Sequence, residues 1–397
     1  MAAAVSPGMQ RVLVTVAGPD TPGITAMLTG VIAECGVALL DIEQVVVQRQ
    51  LTLCLLLGVG ASPALGDQVL KELLFAAKRM GLEMGFRVLD PEDLTPPDVQ
   101  QWAVTAIGDD LDARGIHAVA TVLAAHGTNI ERISALSDGR LASVEVIISM
   151  PRAVDADHVA QARDLRRALI EATGHVNVDI AVQRETLTRR SKRLVAMDMD
   201  STLIKIEVID ELARLHGVAA EVSELTRRAM AGELDYEQSL RQRVGLLEGL
   251  EHERVLALAR DLPITDGARE LLRVLRLLGY KTAVISGGFT FAANALKVRN
   301  GRLTGRVLDP VVTPQRKADL LDLIAQGEGI DIAQTIAIGD GANDLPMLER
   351  AGLGIAFHAK AKLRAAADTA VSQGGLDRIL YLLGLTAREV KEVLARR

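Results

Sequence analysis

The stretch Leu194-Val195-Ala196-Met197-Asp198-Met199-Asp200-Ser201-Thr202 decides the reading of this chain. Four apolar residues stop abruptly at two carboxylates spaced two apart, the pattern of a buried parallel strand that ends in a polar tip. In open α/β sheets, ligands bind beyond the carboxyl ends of the strands, so the tips of neighbouring strands should also be polar. Two further apolar runs satisfy this. Thr282–Ile285 ends in Ser286-Gly287-Gly288, and Thr335–Ile338 ends in Gly339-Asp340-Gly341-Ala342-Asn343-Asp344. Lys317 lies between them, at the start of a helical pattern. The stretch from Ile206 to about Leu262 is helical in pattern and interrupts the sheet after its first strand, which predicts an inserted cap.

Taken singly, Asp-x-Asp is a turn or a helix cap, and Ser-Gly-Gly is a tight turn. Together on the tips of one sheet they form a coherent chemical set. Asp198, Asp340 and Asp344 offer hard oxygen ligands that suit Mg²⁺. Lys317, the Ser286 hydroxyl and the Gly287 and Gly288 amides can hold a phosphoryl group. A carboxylate nucleophile at Asp198 would split hydrolysis into two steps. Asp200 could protonate a leaving alkoxide and then deprotonate water. A phosphotransferase would need no such acid, so hydrolysis is favoured.

Upstream, residues 11–90 read β-α-β-β-α-β, the split βαβ order of ferredoxin-like domains. Strands are expected at Arg11–Ala17, Ile42–Val47, Leu51–Gly58 and Leu82–Val88, with helices at Ile24–Cys35 and Gln68–Met80. The order recurs over Trp102–Ile107, Ile116–His126, Asn129–Leu136, Ala142–Ser149, Asp157–Glu171 and Val176–Val182. Gly18 and Gly108 close the two first strands and Gly36 and Gly127 end the two first helices, at offsets of 90 and 91 residues. That is an internal duplication. The expected organisation is two ferredoxin-like domains at 1–97 and 98–183, a solvated linker at 184–193, and a capped α/β domain at 194–397. Pro91, Pro96 and Pro97 mark the boundary between the copies.

Composition narrows the function classes. The formal charge of −6 argues against a general nucleic-acid surface, and no aromatics interleave with the basic residues of Arg184–Arg193. Only nine residues are aromatic, so the cores must be aliphatic. Cys35 and Cys54 sit in apolar runs and read as a buried reduced pair. No charged n-region precedes an apolar h-region, and Leu51–Gly66, the best membrane candidate, is short and broken by Gly and Pro. A cytoplasmic protein without membrane contact is expected.

Asp198-Met-Asp-Ser-Thr, Ile285-Ser-Gly-Gly, Lys317 and Gly339-Asp-Gly-Ala-Asn-Asp together resemble the four motifs of the haloacid dehalogenase superfamily of phosphatases. Glu207-Val-Ile-Asp-Glu and Arg228-Ala-Met-Ala-Gly-Glu-Leu-Asp-Tyr-Glu-Gln-Ser-Leu-Arg-Gln-Arg243 extend the resemblance to the branch that hydrolyses phosphoserine. The N-terminal repeats resemble ACT domains, which sense small molecules. The resemblance implies Asp198 as nucleophile and Asp200 as acid/base. It implies Mg²⁺ held by Asp198, the Asp200 carbonyl and Asp340, with Asp344 nearby. Ser286, Gly287 and Lys317 would bind phosphate, and Asn343 would orient its loop. Glu207 would meet the substrate ammonium and Arg243 its carboxylate, with Met230 and Tyr236 closing the apolar side. A zwitterionic phosphomonoester does need one anion and one guanidinium.

In the first repeat Gly18-Pro-Asp20-Thr-Pro-Gly23 resembles an ACT ligand loop, where an amino-acid effector, serine among the candidates, would bind. In the second, Gly108-Asp-Asp110-Leu-Asp-Ala-Arg-Gly115 lacks the Pro-Gly and is two residues longer. A homodimer is expected by the same analogy. Two other functions stay open at this point: a phosphatase of another small phosphomonoester, and an amino-acid sensor with an inert phosphatase domain.

Overall fold

The structure is a computed structural model that describes residues 9–60, 63–90, 99–151, 157–287 and 294–395. The Gly288 amide and the prolines at 91, 96 and 97 lie outside the described residues. The chain divides into two compact units, Met1–Pro97 and Asp98–Arg397.

In the first unit, strands β1 (Gln10–Pro19), β2 (Ala38–Val47), β3 (Gln50–Val59) and β4 (Glu83–Leu89) form one antiparallel sheet of order β2-β3-β1-β4. Helices Ile24–Glu34 and Pro63–Arg79 intervene in the expected sequence. Alternation puts Val12, Val14 and Val16 of β1 and Leu51, Leu53, Leu55 and Leu57 of β3 in the core with Leu28 and Leu73 of the helices. Gly23, immediately before the first helix, has φ 97°, which glycine adopts without steric cost. Cys35 and Cys54 are free and half-buried rather than buried.

The second unit repeats the order with β5 (Val99–Ile107), β6 (Asn129–Ala135), β7 (Ser143–Pro151) and β8 (Asp179–Arg184), and helices Ala113–Ala125 and Asp157–Thr173. It continues through β9 (Leu194–Met197), β10 (Lys281–Val284), β11 (Ala295–Arg299), β12 (Arg302–Leu308), β13 (Thr335–Gly339), β14 (Gly354–Phe357) and β15 (Thr369–Val371). The repeat and the α/β part share one sheet, of order β10-β9-β13-β14-β15-β8-β5-β7-β6. Within it β10, β9, β13, β14 and β15 run parallel, and β15 meets β8 antiparallel through Thr369 and Ala181. Strands β11 and β12 pair antiparallel in a hairpin of their own. Ile107 and Ala181 accordingly lie in the same apolar cluster as Val195, Met197, Ile336 and Ile338.

The segment expected to be a solvated linker is pinned. Arg189, on the short helix Leu187–Arg190, is 4% exposed and pairs with Glu145 of β7 at 2.5 Å and Glu185 at 2.7 Å. A charge so buried is tolerated only when paired.

The interruption after β9 is helical, as its pattern predicts: Val208–His216, Ala219–Met230, Tyr236–Gly245 and His252–Arg260. Its apolar cluster also takes Leu303 and Val307 from the β11–β12 hairpin, which packs against Leu240, Val244 and Leu247. The two chain segments joining cap to sheet run side by side. Ile204 bridges Ile264, and Lys205 and Thr265 donate to the Pro263 and Leu203 carbonyls. Among the described residues no helix is long and apolar enough to cross a membrane.

Candidate active site

The strand order places the three polar tips side by side. β9 lies between β10 and β13, parallel to both, so Asp198, Ser286 and Asp340 emerge at one edge of the sheet. The register carries one residue past each strand: Asp198 N–H donates to the Ile338 carbonyl and Ile285 N–H to the Met197 carbonyl, both at 2.9 Å. The chain then turns sharply. Ser201 has φ 54°, uncommon for a residue with a Cβ, and its N–H reaches the Ile206 carbonyl. This turn leaves Asp200 beside Asp198 and sends the chain into the cap.

Lys317 is fully buried on helix Pro314–Gly327, whose N-cap Thr313 accepts from the Arg316 N–H. Its Nζ donates to Asp344 Oδ1 at 2.6 Å and forms an ion pair with Asp198 Oδ1 at 2.9 Å, the latter off hydrogen-bond alignment. Asp344 Oδ2 accepts from the Gly341 N–H, which closes the turn after β13. Glycine is required there, since a Cβ at Gly339 would fall 2.5 Å from Asp344, and one at Gly341 would strike the Asn343 side-chain oxygen. Asn343 therefore packs within the loop itself. Thr202, which sequence reasoning did not single out, reaches Asp340 Oδ1 with its hydroxyl at 3.4 Å.

Carboxylate oxygens of Asp198, Asp340 and Asp344 lie within 4.8 Å of one another. Three hard donors beside a single lysine leave an excess of negative charge that a hydrated divalent cation fits. The Asp200 carboxylate is outside this cluster. Its Oδ1 is buried with no hydrogen-bond partner among the described residues.

Without a cation, burial dominates the titration of the acids. It pushes Asp200 up to about 8, helped by the charges of Glu207 and Asp198. It pushes Asp340 to about 7, with Asp344, Glu207 and Asp198 adding to the shift. Asp198 rises to about 6 through burial and Asp344, against the pull of Lys317. For Lys317, burial favours the neutral form, but its contacts with Asp344 and Asp198 win and hold it protonated.

The cap supplies the remaining residues. Glu207 precedes helix Val208–His216 and accepts from the Ser201 hydroxyl at 2.8 Å. Arg243 is half-buried on helix Tyr236–Gly245, where its charge acts on Asp210 and on Tyr236. The Tyr236 hydroxyl crosses to the sheet and donates to the Gly287 carbonyl at 3.4 Å. The side chain of Met230 lies outside the described residues.

Gly18, Asp20 and Gly23 belong to the first repeat, where Asp20, Gly23, Thr25 and Gln44 border a depression of about 300 Å³. Asp20 N–H donates to the Arg49 carbonyl there. In the second repeat Asp110 pairs with Arg140, and Arg378 holds the Gly108 carbonyl and Asp109, each at 2.9 Å.

A strand-tip site of this kind, under a helical cap, defines a haloacid dehalogenase-like hydrolase, and residues 192–352 match that family. Residues 10–87 and 101–183 each match an ACT domain. Over 98% of its length the chain is 41% identical to a phosphoserine phosphatase of Streptomyces coelicolor, covering 96% of that protein. It is 38% identical over 97% of its length to phosphoserine phosphatase SerB2 of Mycobacterium tuberculosis, again covering 96%. The unliganded crystal structure of a probable phosphoserine phosphatase from Vibrio cholerae superposes with a TM-score of 0.56 at 34% identity, over 74% of this chain and 89% of that one. The chain belongs to the phosphoserine phosphatase family.

Proposed function

We propose that the protein hydrolyses O-phospho-L-serine to L-serine and phosphate through an aspartyl-phosphate on Asp198, the closing step of serine synthesis. The observation behind this reading is geometric: Asp198 leaves the tip of β9 in an ion pair with Lys317, and Asp200, two residues on, keeps a buried carboxyl oxygen with no hydrogen-bond partner among the described residues. Burial raises both carboxyls, Asp200 (to about 8) further than Asp198 (to about 6), where Lys317 opposes the rise; this order suits Asp198 to attack and Asp200 to carry the proton. An Asp198 oxygen attacks phosphorus as the bond to the serine oxygen breaks, and Asp200 gives that oxygen its proton. Asp200 then takes a proton from a water whose oxygen attacks the same phosphorus. The bond to Asp198 breaks and the carboxylate returns.

Ser286, Gly287 and Lys317 hold the phosphoryl oxygens, with Asn343 shaping the adjacent loop. A Mg²⁺ ion held by Asp198, the Asp200 carbonyl and Asp340, beside Asp344, would neutralise charge building on those oxygens. Glu207 receives the substrate ammonium and Arg243 its carboxylate, and Met230 and Tyr236 complete the pocket. The relatives named as phosphoserine phosphatases support the choice of substrate. An amino-acid effector at the loops around Gly18 to Gly23 and Gly108 to Asp110 belongs to the same reading, as do a homodimer and a cytoplasmic location.

The test is phosphate release from free L-phosphoserine with Mg²⁺, run beside a panel of phosphosugars and phosphothreonine. Asp198→Asn should cost about a thousandfold or more in kcat. Arg243→Ala should hurt carboxylate-bearing substrates selectively. A wild-type protein that ignores phosphoserine but turns over another ester would overturn the substrate and leave the chemistry.

A further inference from the structure

Asn294 sits just before β11, is 1% exposed, and uses both ends of its amide on the backbone. Its Nδ2 donates to the Gly287 carbonyl at 2.7 Å, and its Oδ1 accepts from the Val312 N–H at 2.7 Å. These two peptides belong to different parts of the site. Gly287 follows Ser286 at the tip of β10. Val312 directly precedes Thr313, the N-cap of the helix that carries Lys317. Gly287 is itself confined, because a Cβ there would strike the Tyr236 hydroxyl and lie 3.7 Å from Lys317 Cε.

We infer that Asn294 is a positioning residue for phosphoryl binding: it sets the spacing between the Ser286–Gly287 tip and the Lys317 helix. The inference rests on the phosphatase reading given above. The amide meets both partners from two separate atoms, Nδ2 donating to one segment and Oδ1 accepting from the other, whereas a shorter hydroxyl side chain offers a single oxygen for both. Replacing it leaves a buried carbonyl and a buried N–H to be satisfied by movement of one segment or the other. A shift of either segment moves Ser286 relative to Lys317, and groups that clamp a reacting centre tolerate little displacement. The cation cluster, on the loops after β9 and β13, is not bonded to Asn294.

The experiment titrates inorganic phosphate into the full-length protein with saturating Mg²⁺ by calorimetry, for wild type, Asn294→Ser and Asn294→Ala. Phosphate affinity should fall in the order wild type, Ser, Ala, with Ala weaker by about tenfold. The KM for phosphoserine should rise in parallel, and the Mg²⁺ half-saturation constant should stay within about twofold of wild type. Because serine replaces one bond and alanine neither, the graded order is a readout that a general packing defect does not produce. Phosphate affinity equal to wild type in both variants would overturn the inference, as would parallel loss of Mg²⁺ and phosphate binding. If alanine does not fold, serine alone decides, and a serine variant that also fails to fold makes Asn294 a folding residue and sinks the idea. Should wild type bind phosphate yet not hydrolyse phosphoserine, the substrate reading fails while the phosphate titrations still judge Asn294.

Discussion

Asp198, Asp200 and Asp340 are ordinary carboxylates in the unfolded chain, and burial raises all three on folding. The consequence for stability has a definite sign. A folded state that holds protons which the unfolded state releases is favoured at low pH, and it loses that advantage as pH rises through the folded values. With chelator present, the contribution of these groups is complete below about pH 4 and is lost progressively as pH rises from there through the folded values, about 6 to 8. A divalent cation requires the ionised forms, so its stabilisation should grow over the same window. Thermal melts with chelator should fall from pH 5.5 to 8.5 by roughly several degrees more than melts with Mg²⁺. A gap between the two series that narrows as pH rises would contradict this assignment. At this scale the gathering of Asp198, Asp200, Lys317 and Asp340 was legible in sequence, because each follows a strand or starts a helix whose pattern is plain. Asn294 was not, since a single polar residue among alanines has no period and its partners lie 7 and 18 positions away.

At the scale of elements, cap and sheet meet where the helix Tyr236–Gly245 reaches the tip of β10. The Tyr236 hydroxyl and Gly287 leave no room between them for a methyl group. Gly287→Ala should lower kcat/KM by about tenfold or more, and adding Tyr236→Phe should recover part of it by removing the obstructing oxygen. Steady-state kinetics on the two singles and the double decides; strictly additive losses would mean that the clash is not the cause. The cap's helices follow from their apolar spacing. The β11–β12 hairpin was missed although its signal was present. Asn300-Gly301 sits between two strand-like runs, and both residues adopt positive φ, 49° and 72°, as a tight hairpin turn demands. Its role as part of the cap's core was not legible, because Leu303 and Val307 find Leu240 and Val244 only through tertiary packing.

For the whole molecule, the second ACT domain and the hydrolase are bound by one sheet and one core. The Glu145–Arg189–Glu185 cluster seals the segment between them. Arg189→Ala would strand the buried Glu145 charge, softened only by Arg132 and Arg190 at 3.9 and 3.8 Å. The expected loss is about 3 kcal/mol, read as a lower urea midpoint for the unit Asp98–Arg397. Less than about 1 kcal/mol would mean that the exposed arginines replace it. The first ACT domain has its own core, drawn wholly from residues 12–82, and should keep its midpoint in that variant.

Sequence alone determined the duplication, the parallel sheet, the inserted cap and the polar residues that end the sheet's strands. Each of these is written in local periods and in the polar residues that end them. Tertiary structure decided what local pattern cannot encode. It joined β8 to β15, a strand of three residues too short to show a period. It buried Arg189 in a stretch whose composition reads as solvent-exposed. It also brought Asn294 to both Gly287 and Val312, because pairings between distant segments depend on the packed geometry of the whole sheet rather than on neighbours along the chain.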